Sequence, residues 1–353
     1  MQSNVYILYT GGTFGMKKSE EYGLQPSSWD EIIEYLPAIK KQNFFSYFKE
    51  INFTFETLHP IIDSSDITPE TWHHIAEKIQ KNYASHDGFI IIHGTDTLAY
   101  TSSALSYMFE NLSKPIILTG AQLPIFHPRT DGIINLSNAI YIAGYRSFEL
   151  AKIPEVCICF NDDVLRGNRA VKTSTNDFEG FSSPNYPNLA NLEQNIDVHE
   201  YLLHPVIENK NLVLRTHFSD KVVNVTIFPG YNPKPLIDLV EAKKLEGIVL
   251  KTFGAGNLPS SVLWDQLISA CEKNETIILA TTQCPNGQIE LGQYASSRAL
   301  KSNVVVDGKD ITSEAALTKL MWVIGNYKSA ERCQILRQNI RGEMLDRKPL
   351  KIN

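Results

Sequence analysis

The sequence predicts an α/β protein with two domains. The larger, N-terminal one is expected to be a parallel sheet with helices on both faces, and the smaller, C-terminal one a second α/β layer. Apolar, strand-like runs alternate with helical patterns in both halves of the chain. Two of these runs end in motifs that contain threonine and glycine, Thr10–Thr13 and His93–Thr97. The carboxyl ends of parallel strands form the crevice in which ligands bind, so both motifs are candidates for a functional site.

The N-terminal half shows the clearest alternation. Thr68-Pro69-Glu70 joins a capping hydroxyl, a proline at the first helical position and an acid, which predicts a helix that runs to about Tyr83. The other predicted elements are the strands Val5–Tyr9, Phe89–Ile92, Pro115–Leu118 and Val156–Phe160, and the helices Thr97–Phe109 and Ile133–Ala143. This order predicts right-handed βαβ units and therefore a parallel sheet.

The character of the sequence changes from about Ser182 to Asn211, where polar, asparagine-rich residues show no clear period. We therefore predict an N-terminal domain at residues 1–190, a linker at 191–211 and a C-terminal domain at 212–353. The elements predicted for the second domain are the strands Val222–Phe228, Gly247–Thr252 and Thr276–Thr281, and the helices Pro235–Ala242, Pro259–Cys271 and Thr312–Gly325.

The composition narrows the class of function. The 353 residues carry a net charge of -6, which argues against nucleic acid or an anionic membrane as the partner. No apolar run approaches the roughly 20 residues of a membrane helix. The chain enters its first strand without a secretory signal, and five scattered cysteines favour reduced thiols, so we expect a cytoplasmic location. No cluster with metal-ligand spacing occurs in the sequence, and we expect no cofactor.

Thr10-Gly11-Gly12-Thr13 suggests a nucleophilic hydroxyl, because the glycines bring backbone N–H groups close to the side chain of Thr13. The alternatives are a tight turn or a phosphate nest. A phosphate-binding loop requires G-x-x-x-x-G-K-[ST] or G-x-G-x-x-G spacing, and neither is present here. The polar, glycine-punctuated segment from Phe14 to Gly23 is suited to a lid over the strand end.

Thr95-Asp96 suggests a second functional hydroxyl beside a carboxylate. Capping of the next helix by Asp96 is the structural alternative. Lys172 follows the basic loop Arg166–Arg169. Such a loop is more typical of a solvated surface. A lysine beside Asp96, however, would lower the free-energy cost of deprotonating Thr95. Asp63-Ser64-Ser65-Asp66 precedes a helix, where it is suited to capping, to holding the head group of an α-amino acid, or to both.

Five motifs in this order together resemble the bacterial-type L-asparaginases, specifically the cytoplasmic type I branch, over essentially the whole chain. They are Thr10–Thr13, His93–Thr97, Thr119-Gly120-Ala121-Gln122, Arg166–Arg169 with Lys172, and Gly254-Ala255-Gly256-Asn257. The resemblance implies that Thr13 attacks the side-chain amide to give a β-acyl-threonine intermediate and ammonia. It also implies that Thr95, Asp96 and Lys172 form a second triad, which activates a hydroxyl or the hydrolytic water.

The same resemblance implies how the substrate L-asparagine is held. Ser64 would bind the α-carboxylate with Asp63 and Ser65 beside it, and Asp96 would pair with the α-amino group. The backbone around Ala121 and Thr95 would receive the amide and the oxyanion. Asn257 would reach into the site of a neighbouring subunit, so the active unit is expected to be a homo-oligomer, a dimer or a tetramer.

A tyrosine often follows the first threonine motif in this family. Tyr22 is the candidate here, although it lies slightly closer to Thr13 in sequence than the tyrosine of the common family pattern. In the alternative alignment, Leu24 occupies the position of that tyrosine. Tyr294 is the alternative from the second domain. If neither tyrosine approaches Thr13, the Thr13 hydroxyl would be activated by Lys172 through Thr95, or by water.

Three hypotheses of function follow. The leading one is hydrolysis of L-asparagine to L-aspartate and ammonia. A glutamine-directed amidohydrolase is a near alternative, exemplified by the archaeal amidotransferase subunit used in tRNA charging. That subunit carries an additional N-terminal domain, whereas this chain begins at the first strand. A non-catalytic amino-acid sensor would predict loss of Thr13, Thr95 or Lys172, and all three are present.

Allosteric activation by asparagine is expected to be weak or absent. The regulatory site of some type I enzymes uses an arginine, a threonine and a cysteine, and the matching residues here are Lys251, Val171 and Cys284. Lysine lacks the bidentate fork that holds a carboxylate, and valine donates no hydrogen bond. We expect the rate to rise hyperbolically with asparagine concentration. A strongly sigmoidal curve in steady-state kinetics would contradict this prediction.

Overall fold

The computed structural model describes residues 2–19, 23–35, 48–291 and 300–345. The chain divides into two compact units, one up to Arg215 and the other from Thr216 onward. The large N-terminal sheet is dominated by parallel strands and the smaller C-terminal sheet is parallel, so the predicted fold class is confirmed. Within the described ranges no helix combines the length and the apolarity needed to cross a bilayer.

The N-terminal unit is built on an eight-stranded sheet. Its strands are β1 (Ser3–Gly11), β4 (Ile51–Ile62), β5 (Gly88–Ile92), β7 (Ile116–Thr119), β8 (Val156–Phe160), β9 (Asp163–Arg166), β12 (Ala190–Leu192) and β13 (Ile196–Val198), and the two-stranded sheets add β2 (Met16–Ser19), β3 (Gly23–Pro26), β6 (Phe109–Glu110), β10 (Val171–Lys172), β11 (Phe181–Ser182) and β14 (Val213–Leu214). The helices are α1 (Trp29–Tyr35), α2 (Pro69–Asn82), α3 (Leu98–Met108) and α4 (Gly132–Ala143). The spatial order of the large sheet is β13-β12-β9-β8-β7-β5-β1-β4. From β4 to β8 all neighbours are parallel, whereas β9, β12 and β13 are antiparallel to their neighbours.

The core of the N-terminal unit is formed by both faces of the central strands. Val5, Ile7 and Tyr9 of β1 lie in one buried cluster with Ile90 of β5 and with apolar residues of α4. The intervening residues of β1 are buried as well. A strand with both faces buried has a continuous apolar sequence, which is why β1 and β5 are visible in the sequence.

The C-terminal unit contains a four-stranded parallel sheet. Its strands are β15 (Val222–Thr226), β16 (Gly247–Thr252), β17 (Ile277–Thr282) and β18 (Val305–Asp307), and its helices are α5 (Lys234–Glu241), α6 (Val262–Asn274), α7 (Ser313–Asn326) and α8 (Ser329–Leu336). The spatial order of the strands, β15-β16-β17-β18, follows the chain. Trp264 of α6 and Ile248 of β16 belong to the buried apolar cluster of this unit.

The structure corrects the predicted linker at residues 191–211. Strands β12 and β13, which begin at Ala190 and end at Val198, extend the N-terminal sheet, and the division between the two units falls after Arg215. Three-residue strands are too short to show a period in the sequence. Asn188, in the polar stretch that suggested a linker, is tied to the sheet, since its Nδ2 donates to Asp163 in β9 and to Asn191 in β12.

Several further elements were not predicted, among them α1, β4, β9, β18 and α8. Strand β4 was not predicted, because it lies at the edge of the sheet, contains Pro60 and mixes apolar with polar residues. The segment predicted as a lid, Phe14–Gly23, contains β2 and the first residue of β3, and these strands pair antiparallel, so that Met16 opposes Pro26 and Lys17 opposes Gln25.

A buried ion pair ties the end of the described chain to α7. Lys319 and Glu343 are fully buried, with Nζ 2.5 Å from Oε1, and Lys319 also donates to the carbonyls of Leu336 and Gln338. Burial opposes ionisation of Glu343, but the Lys319 charge and backbone N–H donors outweigh it and hold its pKa below the ordinary value. This contribution to stability is therefore present above the ordinary glutamate pKa and is lost as the pH falls through the lowered one.

We expect Glu343→Gln to lower the free energy of unfolding by about 3–5 kcal/mol at pH 7, because it leaves Lys319 as an uncompensated buried charge. Glu241→Gln, at an exposed end of α5, is the matched control and should change it by less than about 0.5 kcal/mol. Denaturant unfolding measures both. Equal effects of the two variants would show that the pair does not stabilise the fold.

Candidate active site

Four neighbouring parallel strands deliver the predicted site residues to one edge of the N-terminal sheet. Thr13 follows β1, Ser64 follows β4, Thr95 follows β5 and Ala121 follows β7. Because β7, β5, β1 and β4 are adjacent and parallel, their carboxyl ends meet at this edge. The edge is therefore the candidate active site.

A close backbone contact sets the distance between the first two motifs. A Cβ atom on Gly12 would lie 2.2 Å from Cα of Gly94, and Gly12 has a φ of 81° and a ψ of 178°. Only glycine adopts this backbone conformation readily. Thr13 and Thr95, the next residue in each motif, are thereby brought to neighbouring positions.

Ser64 joins the same contact. A Cβ on Gly94 would lie 2.5 Å from Ser64 Oγ, so the serine side chain lies directly on the glycine. Thr97 Oγ1 donates to the carbonyl oxygen of Ser64 at 2.7 Å, which ties the loop after β4 to the start of α3. Ser64 is buried, whereas Ser65 is exposed. Asp63 accepts hydrogen bonds from Ser65 N at 2.9 Å and Ser65 Oγ at 2.8 Å, so these two residues pair with each other in a one-turn cap.

Lys172 connects Thr95 and Asp96. Its Nζ donates to Thr95 Oγ1 at 2.9 Å and to Asp96 Oδ1 at 2.6 Å. The Lys172 side chain is 18% exposed and that of Asp96 is 66% exposed, so the pair faces solvent on the carboxylate side. The alternative of capping by Asp96 does not describe this geometry, since Thr97 holds the N-cap position of α3.

The basic loop before Lys172 is not a solvated surface. Arg166 is buried and makes two hydrogen bonds to Glu155, of 2.6 and 3.0 Å. Arg169 is 1% exposed and its guanidinium lies over the ring of Tyr186. These arginines fix the start of the β10 hairpin, which carries Lys172.

The remaining predicted residues are Ala121, Asn257 and the two candidate tyrosines. Ala121 is buried in the loop after β7. Asn257 belongs to the C-terminal unit, in a turn where its N–H donates to Phe253 O at 2.8 Å. The role of Asn257 in a neighbouring subunit stays a prediction, as does the weak or absent allosteric activation expected from Lys251, Val171 and Cys284. Tyr22 and Tyr294 lie outside the described residues.

Sequence reasoning missed a buried network around His93. Its Nδ1 lies 2.7 Å from Gly94 O and its Nε2 lies 3.0 Å from Thr101 Oγ1, which also accepts a hydrogen bond from Trp72 Nε1. Burial lowers the pKa of His93 to about 4, so the ring is neutral at pH 7 and donates through Nδ1. The carbonyl of Gly94 is fixed by this bond. The one feature of the sequence that could have indicated this network is the spacing of eight residues between His93 and Thr101.

Comparisons with known proteins agree with this arrangement. The family model for the N-terminal domain of asparaginase matches residues 4–203, and the model for the glutaminase/asparaginase C-terminal domain matches residues 221–336. The chain belongs to the asparaginase family.

The relatives include L-asparaginase 1 of Escherichia coli (strain K12), which is 36% identical over 347 residues, 97% of this chain and 98% of that protein. The crystal structure of L-asparaginase I from Vibrio cholerae O1 biovar eltor superposes with a TM-score of 0.85 at 36% identity, covering 98% of this chain and all of that one. A glutamyl-tRNA(Gln) amidotransferase subunit of Methanosphaera stadtmanae is 31% identical over 97% of this chain and 77% of that protein. The resemblance to type I asparaginases is thus confirmed.

Gly12→Ala tests the close contact of the two motifs. We expect it to lower the free energy of unfolding by about 2–5 kcal/mol, because the methyl group meets the backbone of Gly94 and the backbone conformation is strained. Gly23→Ala is the matched control, since Gly23 also has a positive φ of 75°, but no atom of the described residues lies within 4 Å of the new methyl group. Thermal and denaturant unfolding compare the two. Similar losses for both variants would contradict a specific contact at Gly12.

Proposed function

We propose that the chain hydrolyses L-asparagine to L-aspartate and ammonia through a β-acyl ester on Thr13. The observation that carries this proposal is the contact of Lys172 Nζ with both Thr95 Oγ1 and Asp96 Oδ1, at the sheet edge where Thr13 also lies. Membership of the asparaginase family supports the substrate class.

In the first half-reaction, Thr13 Oγ attacks the side-chain amide carbon of the substrate. The C–N bond breaks, and ammonia leaves with the proton of the hydroxyl group. The developing oxyanion accepts hydrogen bonds from backbone N–H groups near Thr95 and Ala121, and such preorganised donors stabilise the transition state.

In the second half-reaction, water attacks the acyl ester, a proton returns to Thr13 Oγ and L-aspartate leaves. Thr95 Oγ1 takes the water proton while its own hydroxyl proton moves to Thr13 Oγ, and the hydrogen bond from Lys172 Nζ stabilises the partial negative charge on Thr95 Oγ1 during this exchange. The two half-reactions together consume one water molecule and one substrate molecule, and every proton and leaving group is accounted for by these and the protein.

Recognition of the α-amino acid uses the polar groups around the nucleophile. The buried Ser64 binds the α-carboxylate, with Asp63 and Ser65 beside it. Asp96 keeps its carboxylate largely open to solvent, which suits pairing with the α-amino group of a ligand. The proposal includes a cytoplasmic homo-oligomer in which Asn257 completes a neighbouring site.

Glutamine is the alternative substrate, favoured by the similarity to the amidotransferase subunit. It differs from asparagine by one methylene, a difference worth about 1–3 kcal/mol in a fitted pocket. The relative kcat/KM for the two amides therefore decides between these alternatives.

The decisive experiment measures ammonia release from L-asparagine and L-glutamine by the wild type and by Thr13→Ala. We expect turnover of asparagine to fall at least a thousandfold in the variant, because its acyl acceptor is lost. Thr173→Ala removes an exposed threonine hydroxyl next to Lys172 and is the matched control, with turnover close to wild type.

Hydroxylamine distinguishes the covalent route, since it converts an acyl ester to aspartate β-hydroxamate. Hydroxamate formed by the wild type and not by Thr13→Ala supports the ester on Thr13. Full activity in Thr13→Ala would disprove the assignment of the nucleophile. Binding of asparagine by the wild type without any turnover would establish the amino-acid sensor instead.

A further inference from the structure

Helix α4 clamps the turn that contains Ala121. Asp131, the residue before the helix, is 6% exposed, and its carboxylate accepts hydrogen bonds from Gln122 N at 2.9 and 3.1 Å and from Leu123 N at 3.0 Å. Asn135, one turn into the helix, is fully buried, and its Nδ2 donates to Gly120 O at 3.0 Å and to Asp131 Oδ2 at 3.1 Å. The peptide groups on both sides of Ala121 are therefore held by α4.

This clamp fixes where the backbone of Ala121 points. In a trans peptide the C=O and N–H groups point in opposite directions. The N–H of Gln122 points at Asp131, so the carbonyl oxygen of Ala121, in the same peptide, points away from it. By the same argument the N–H of Ala121 points away from Asn135, which binds the carbonyl of Gly120.

The turn lies next to the loops of the candidate active site. A Cβ on Gly120 would lie 2.4 Å from His93 O, so the turn after β7 packs against the loop after β5. Farther along the same loop, Ile125 N donates to Phe14 O at 2.8 Å, beside Thr13. An orientation imposed on Ala121 is therefore imposed close to both threonines.

The Asp131 carboxylate accepts backbone hydrogen bonds from this turn and none from the first turn of its own helix. It occupies the N-cap position of α4 with a helical φ of -83° and makes no side-chain cap hydrogen bond. Its two oxygens accept from backbone N–H groups and from Asn135 at once. A carboxylate only accepts hydrogen bonds, whereas an amide would turn an NH2 group toward at least one of these donors.

We propose that Asp131, held by Asn135, is a positioning residue that directs the Ala121 carbonyl oxygen at the leaving NH2 group of the substrate. That oxygen accepts an N–H hydrogen bond from the amide as the C–N bond breaks. The inference rests on the proposed function, because it concerns the residue that orients the backbone expected to receive the amide. It assigns selectivity for amides over esters to a residue that does not touch the substrate.

The experiment compares two substrates with the same acyl group, L-asparagine and the β-methyl ester of L-aspartate, and follows release of L-aspartate. The methoxy leaving group has no N–H, so it gains nothing from the Ala121 carbonyl. We expect Asp131→Asn to lower kcat/KM for the amide at least tenfold more than for the ester. Asp177→Asn is the control, because it removes the same charge from an exposed residue whose carbonyl accepts from Gln122 Nε2. Its amide-to-ester ratio should match the wild type.

An equal loss for amide and ester in folded Asp131→Asn would overturn the proposal and leave Asp131 a purely structural role. Asp131→Glu gives the same readout if Asp131→Asn fails to fold, since it keeps the charge but moves the oxygens by one methylene. An unchanged amide-to-ester ratio there would also overturn it. Failure of the proposed function is distinguishable, because the wild type would then hydrolyse neither compound.

Discussion

The candidate active site depends on the backbone contact between Gly12 and Gly94. Parallel strands stand about 4.8 Å apart and twist relative to each other, so loops that leave their ends tend to diverge. Here two glycines let the loops after β1 and β5 touch. Any side chain at either position would separate Thr13 from Thr95. The proximity of the two threonine motifs therefore depends on residues that have no side chain.

Several side chains of the candidate site pack against Gly94 or against residues that contact it. Ser64 lies on Gly94, and Thr97 holds the carbonyl of Ser64. His93 fixes the carbonyl of Gly94 from the interior, and its neutral state at pH 7 lets Nδ1 act as donor while Nε2 accepts. The opposite end of that peptide, the N–H of Thr95, consequently points away from His93. The direction of the Thr95 N–H, in the loop that touches the Thr13 motif, is thus set by the buried side chain of His93.

The sequence predicts best those elements whose residues all face the same environment. Val156–Phe160 and Gly247–Thr252 have the predicted bounds because both strands are apolar and largely buried. Strand β4 and the short strands β12 and β13 escaped prediction because half-exposed or three-residue strands carry little periodicity. At the site, the motifs predicted the contact of Lys172 with Thr95 and Asp96, but Asp131 resembles an ordinary helix cap until its partners in the preceding turn are known.

The ion pairs differ in how far their carboxylates are exposed to solvent. Lys319 with Glu343 and Arg166 with Glu155 are almost wholly buried, and their oxygens are occupied by several donors within the fold. Such carboxylates have no surface left for a ligand. In Lys172 with Asp96 the cation is mostly buried, but the carboxylate is 66% exposed, so the lysine is fixed while the acid stays open. This arrangement suits the proposed pairing of Asp96 with the α-amino group of a ligand, because hydrogen bonds between charged groups are stronger than those between neutral ones.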